Sequence, residues 1–188
     1  MSSIDHAPRR RLLSLARRFA TDRRGLAAVE FALIVPVMLV MYFGTLETTN
    51  ALTAARRVSN VAETAADLVA QETSVTTSDM NDVFSASTAI LTPFDTSSVK
   101  IVISSVVADS SNVTKVAWSQ AYGGATARST NSSVTLPTGL TTAGTSVIMA
   151  EVTYTYTSPI GTFITGPITM SEKAYLRPRR TTAVALNP

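Results

Sequence analysis

The stretch RRGLAAVEFALIVPVMLVMYFG, Arg23 to Gly44, holds a single acidic residue, Glu30, near the start of an otherwise uncharged run that follows two arginines. From Leu26 to Leu46 Glu30 is the only charge. At about 1.5 Å of rise per residue, a helix of that length spans about 30 Å, the thickness of the hydrocarbon core of a bilayer. An ionised side chain in lipid costs about 2.5 to 3.5 kcal/mol, so a lone carboxylate there is a functional candidate by default. Pro36 lies inside the run. It removes one backbone hydrogen bond, and the expected result is a kink, not a break.

Outward from this run, the charge is distributed unevenly. Residues 1 to 25 carry seven arginines (Arg9, Arg10, Arg11, Arg17, Arg18, Arg23 and Arg24) against Asp5 and Asp22, a net of +5 in a chain whose total is +3, which leaves −2 for the remainder. On the far side of the run only Arg56 and Arg57 are near. The positive-inside bias therefore places the N-terminus in the cytoplasm and exports the bulk of the chain. Leu12, Leu13, Leu15, Ala16 and Phe19 fall at helical spacings among the arginines, as in a helix lying on an anionic membrane surface; a plain basic n-region reads the same way. The exported part is slightly acidic and has no basic patch interleaved with aromatics, so no nucleic-acid partner is expected.

Cysteine is absent and His6, in the leader, is the only histidine. Disulfide frameworks, thiolate chemistry, Ser-His-Asp catalysis and histidine metal sites are thereby excluded from the exported part. Neither a cofactor nor an enzymatic activity is expected.

Beyond Gly44 the pattern turns amphipathic. Ala54, Val58, Val61, Ala65 and Leu68 step by four and three, with Arg56, Arg57, Glu63 and Asp67 mostly on other faces, so the helix should run on to about Gln71. Its apolar stripe of small residues suits close packing, against its own domain in the simplest case. After the polar break TSVTTSDM (Thr73 to Met80), Ser78 is the expected cap of a short helix from Asp79 to about Leu91, which Pro93 ends. From there the period is two. Val99, Ile101 and Ile103 alternate, as do Val116 and Trp118, then Ile148, Ala150, Val152, Tyr154 and Tyr156, then Ile168, Met170 and Glu172. These four strands predict an antiparallel sheet. Gly123 to Gly144 is rich in turn formers and reads as a long loop with one brief strand near Val134. The chain thus divides into a basic cytoplasmic leader (1–25), a transmembrane helix (26–46), its amphipathic extension (47–72) and an exported α+β domain (73–188).

The opening stretch also carries a motif. Gly25 follows the basic leader, Leu26, Ala27, Ala28 and Val29 come next, and then Glu30 and the aromatic Phe31 open the apolar helix. This resembles the prepilin-peptidase site of type IV pilin-like proteins. Over FATDRRGLAAVEFALIVPVMLVMYFGTLE, with KAYLRPR at Lys173 to Arg179, the chain resembles the TadE-like minor pilins, or pseudopilins, of tight-adherence pilus systems. The resemblance covers the first fifty residues and the C-terminal motif Tyr175, Arg177, Pro178 and Arg179; the middle matches only in character. It implies a pilin-like architecture, cleavage by a prepilin peptidase between Gly25 and Leu26, and single-pass residence in a bacterial inner membrane, with possible incorporation into an extracellular pilus. It further implies partners among pilin and minor pilin subunits and an inner-membrane assembly platform. An α-amine freed on Leu26, with a reference pKa of about 8, would be cationic and able to pair with Glu30 of an adjacent subunit. Phe31 stands where the related major pilins usually have tyrosine, and those subunits are much shorter, so a minor component is implied.

Competing readings attach to other residues. An ordinary signal peptide cut near Ala51 or Ala54 would release a secreted or periplasmic binding protein. An uncleaved anchor could instead present Trp118, Tyr154 and Tyr156 as a surface for polysaccharide or peptidoglycan, although Trp118 among β-branched neighbours reads more simply as core. A hydrolase using Asp109 or Glu151 lacks a supporting constellation. Glu63 and Asp67, one helical turn apart, suit a solvated face better than a cation site. Ser129, Thr130, Ser132 and Ser133 have no accompanying base. The sequon Asn112-Val113-Thr114 is discounted in a chain of bacterial character. Of Arg177, Arg179 and Arg180, one docked arginine in a solvated tail is the expectation.

Overall fold

The computed structural model describes residues 24–158 and 166–187; the basic leader up to residue 23 lies outside them. Two units are distinct, up to Leu46 and from Glu47 onward, and each is described by itself. Helix α1 runs from Arg24 to Ala70, continuing through Pro36. Its first part, in the first unit, is exposed along its length, with Phe31, Leu33 and Met41 each about two-thirds open. This is the one helix among the described residues long and apolar enough to cross a membrane.

The second unit begins with the rest of α1, where the pattern of exposure changes. Ala54, Val58, Val61, Ala62, Ala65, Ala66, Val69 and Ala70 are buried, while Arg56, Asn60 and Glu63 stay exposed. The buried stripe is wider than the four-three spacing predicts, because Ala62, Ala66 and Val69 join it, and Leu68, expected in the stripe, is only half-buried. A short strand β1 (Ser74–Thr76) then leads into α2 (Thr77–Ala89). The cap of α2 is Thr76, not Ser78. Its hydroxyl accepts the Asp79 backbone N–H while the Asp79 carboxylate takes the Thr76 N–H, a reciprocal box that satisfies two donors where Ser78 would satisfy one. These hydrogen bonds hold the Asp79 carboxyl below its ordinary range.

The four expected strands form one antiparallel sheet: β2 (Lys100–Ala108), β3 (Thr114–Tyr122), β4 (Ser146–Tyr156) and β5 (Ile168–Leu176), in spatial order β3-β2-β4-β5. Register assigns the faces. Ile101 and Ile103 lie opposite Val152 and Ala150, Ala150 lies opposite Ala174, and Tyr154 and Tyr156 continue the row. Together with the buried stripe of α1 and with Phe84 and Met80 of α2, this face forms the main core. At the end of β4, the Ser158 hydroxyl donates to the Glu47 carboxylate of α1.

The second face has its own small cluster of Val106, Val116, Val134 and Met149, flanked by Leu136 and Tyr175. Val116 and Trp118 therefore do not share a face, contrary to the period-two expectation. The register passes from Ser105 opposite Trp118 to Val106 opposite Val116. Ala117 is the extra residue of a bulge, which turns Trp118 into the main core and Val116 to the other side. The long loop covers that side. Val134 donates its N–H to the Thr114 carbonyl, and Ser133 makes a single antiparallel bridge to Lys115 in place of a full strand. The loop starts at Gly123, whose φ is +69° and where an added Cβ would lie 1.9 Å from the Val99 carbonyl oxygen, so only glycine fits.

A sixth strand, β6 (Ala185–Asn187), pairs in parallel with β1 and was not expected from the sequence. Three residues with exposed–half-buried–exposed character are too short to show a period.

Packing of α1 on the sheet depends on small side chains. Ala65→Leu should lower unfolding free energy by about 1 to 3 kcal/mol through overpacking, whereas Leu52→Ala, at a position that is more than half exposed, should change it by less than about 0.5 kcal/mol. Urea denaturation of the two variants in the same detergent checks the contrast.

Candidate functional site

Gly25, Leu26, Glu30, Phe31 and Pro36 all lie on α1 in the first unit. Gly25 sits in helical conformation, and a Cβ added to it would meet nothing within 4 Å. Among the described residues nothing in the packing requires glycine there; Gly44 is equally open, within an apolar run of the kind in which membrane helices often carry glycine. Leu26 and Phe31 are more than half exposed. The Glu30 carboxylate has no ion-pair partner among the described residues. The segment thus presents a continuous apolar surface with one unpaired anion near its start, suited to lipid or to the helices of other chains.

The C-terminal motif lies in the second unit and is more firmly tied than a solvated tail. The Arg179 backbone N–H donates to the Ala70 carbonyl at 2.9 Å, satisfying a group at the end of α1, and its guanidinium pairs with Asp67 one turn earlier. Arg177 donates through Nε and Nη2 to the carbonyls of Leu140 and Gly139 at 2.9 and 3.0 Å. Tyr175 packs against the cluster on the second face. Two arginines are docked where one was expected. Just beyond, Trp118 Nε1 donates to the Val184 carbonyl at 2.7 Å, which anchors the approach to β6. The motif therefore acts within the domain, as a clamp that fastens the end of α1 and the long loop to the chain leaving β5.

The residues of the competing readings have structural partners of their own. Trp118, Tyr154 and Tyr156 are at most 8% exposed and belong to the main core, so they form no aromatic platform. Burial raises the phenol pKa of both tyrosines. Asp109 lies in the β2–β3 turn, where its carboxylate accepts the N–H groups of Ser111 and Val113; those bonds lower its pKa. Glu151 points to the second face and takes both Arg128 nitrogens at 2.7 and 2.9 Å and the Lys173 ammonium at 2.8 Å. Arg128 comes from the long loop, so this group fastens the loop to the sheet. Among the described residues no three His, Cys, Asp or Glu side chains are grouped to hold a metal.

The fold and these sites together define a class: an apolar helix capable of spanning a membrane, continued by an α+β domain. Residues 25–67 match the family described as TadE-like protein. The chain carries the TadE-like segment that its N-terminal sequence resembles, and the match ends before the sheet begins. No curated protein and no solved structure matches the chain.

The Arg128 hydrogen bonds hold the Glu151 carboxyl below its ordinary range against the opposing effect of burial. A lowered folded-state pKa contributes stability that is full above the ordinary value near 4.3 and is lost as pH falls through the folded value. Glu151→Gln should cost about 1 to 2 kcal/mol at pH 7, allowing for the partial solvation of both cations. It should also remove part of the acid sensitivity below about pH 4.3. Thermal unfolding of both proteins from pH 7 to pH 3 measures both effects.

Proposed function

We propose that this protein is a membrane-anchored minor pilin, or pseudopilin, that acts in assembling or initiating a tight-adherence pilus after a prepilin peptidase cuts between Gly25 and Leu26. The observation that carries the reading is the TadE-like match over 25–67, which coincides with the exposed apolar part of α1 and continues into its buried part. A basic leader on the cytoplasmic side and an exported domain follow from the arginine asymmetry.

Three features of the helix support processing and assembly. Among the described residues nothing packs where a Gly25 side chain would lie, and a residue without a side chain lets the scissile bond enter a protease site at the membrane surface. Glu30 has no ion-pair partner among the described residues. Before cleavage it lies near the cytoplasmic interface, where a charge costs less than at the bilayer centre; afterwards an α-amine on Leu26 of a neighbouring subunit can neutralise it. The partners in this reading are the peptidase, other pilin and minor pilin subunits, and the assembly platform in the inner membrane.

In cells expressing the cognate peptidase, the N-terminal sequence of the mature protein should begin at Leu26. A start at Met1, or downstream of Ala51, would remove the reading of Gly25. Replacing Gly25 with a bulky residue should abolish both processing and piliation. Glu30→Lys should leave processing within about twofold of wild type, a change of about 0.4 kcal/mol or less in the barrier, and reduce piliation sharply; normal piliation would refute the pairing.

A further inference from the structure

We propose that the outer edge of β5, with the groove beside it, is a docking site for an extended, basic segment of a partner protein, which adds to the sheet as a fifth strand. Among the described residues only one of the two edge strands is covered. Along β3 the long loop supplies backbone bonds between Val116 and both Ser132 and Asn131, and between Val134 and Thr114. Among the described residues the backbone of β5 makes no hydrogen bond outside its ladder with β4. The β5 register runs without a bulge from Leu176 to Ile168, and its nearest prolines, Pro167 and Pro178, fall outside the strand. A long, regular, open edge is a template for strand addition, because alternate N–H and C=O groups point outward in the spacing that another strand requires.

The adjoining groove has a volume of about 700 Å³ and lies between β5 and the outer flank of α1 at Ser59, Ala62, Glu63 and Asp67. Five consecutive residues of β5, Glu172 to Leu176, line it. Consecutive strand residues point to opposite faces, so the groove opens on the backbone edge and not on one face of the sheet. An extended peptide suits this shape better than a compact ligand.

Charge selects the occupant. Asp67 is neutralised by Arg179, and Lys173 turns away to Glu151 on the other face. Glu63 and Glu172 are left exposed without partners among the described residues, an uncompensated acidic rim on both walls. A second copy of β5 would bring another Glu172 to the seam and no free cation, so the partner is a different chain, with Lys or Arg at alternate positions of an extended segment.

Full-length protein in detergent micelles tests the proposal with three nine-residue peptides. The first alternates valine with lysine and threonine, the second has glutamate in place of lysine, and the third is the basic peptide N-methylated at alternate backbone nitrogens. The basic peptide should bind at least tenfold more tightly than the acidic one and slow amide exchange at Ile168–Leu176. N-methylation should abolish binding, and the double variant Glu63→Gln/Glu172→Gln should bring the two charged peptides to similar affinity. Equal affinities in the wild-type protein, binding that survives N-methylation, or unchanged exchange in β5 would overturn the proposal. Self-association that protects β5 and excludes all three peptides would assign the edge to a second copy and overturn it as well. Because the measurement uses purified protein without the peptidase, failure here leaves the reading of Gly25 standing.

Discussion

Burial of the small-residue face of α1 beneath the sheet is the interaction on which the rest of the domain depends. Ala54, Val58, Val61, Ala62, Ala65, Ala66 and Val69 let the strands approach closely, and the large side chains come from the other side, from Ile101, Ile103, Ile148, Tyr154 and Tyr156. Burying a valine or isoleucine side chain contributes about 1.5 to 3 kcal/mol. With α1 as one layer and the sheet as the other, the remaining elements are fasteners. Thr76 and Asp79 start α2, Arg179 closes the end of α1, and the Trp118 indole holds the last strand.

One helix performs two tasks because its sequence changes character near Gly44. Before it, large apolar residues surround the helix on all sides, the pattern of a segment that meets lipid. After it, small apolar residues occupy one face and Thr49, Thr53, Arg56, Asn60 and Glu63 the other, the pattern of a helix that meets a sheet on one side and water on the other. The TadE-like match spans this change, from Gly25 to Asp67. The match ends within α1 and does not reach the sheet.

Much of this was legible in the sequence, and the exceptions have identifiable causes. The four strands of the main sheet could be read because each has at least two alternating apolar residues, as in Ile148 to Tyr156. The face of Val116 could not, because a bulge at Ala117 leaves no signal in a period of two. The β1–β6 pair leaves no signal, because three residues show no period and its partners are separated by more than a hundred positions. The cap at Thr76 is written in the Thr-x-x-Asp spacing that ends at Asp79 and resembles a capping box, but Ser78 beside it carries an equally good capping side chain. At the C-terminus the residues of the motif were recognisable, but their partners were not: Ala70, Asp67, Gly139 and Leu140 are distant in sequence, and only the fold brings them to Arg177 and Arg179.

The proposal that α1 passes from lipid into the core of an exported domain can be tested directly because the chain has no cysteine. Single cysteines at Ile34, Met38, Arg56 and Val58 can be probed with a membrane-impermeant maleimide in cells permeabilised at the outer membrane only. The account predicts labelling at position 56 alone, with position 58 reacting only after denaturation and positions 34 and 38 only after the membrane is dissolved. Labelling of 34 and 38 at the rate of 56, or of 58 in the native protein, would contradict it.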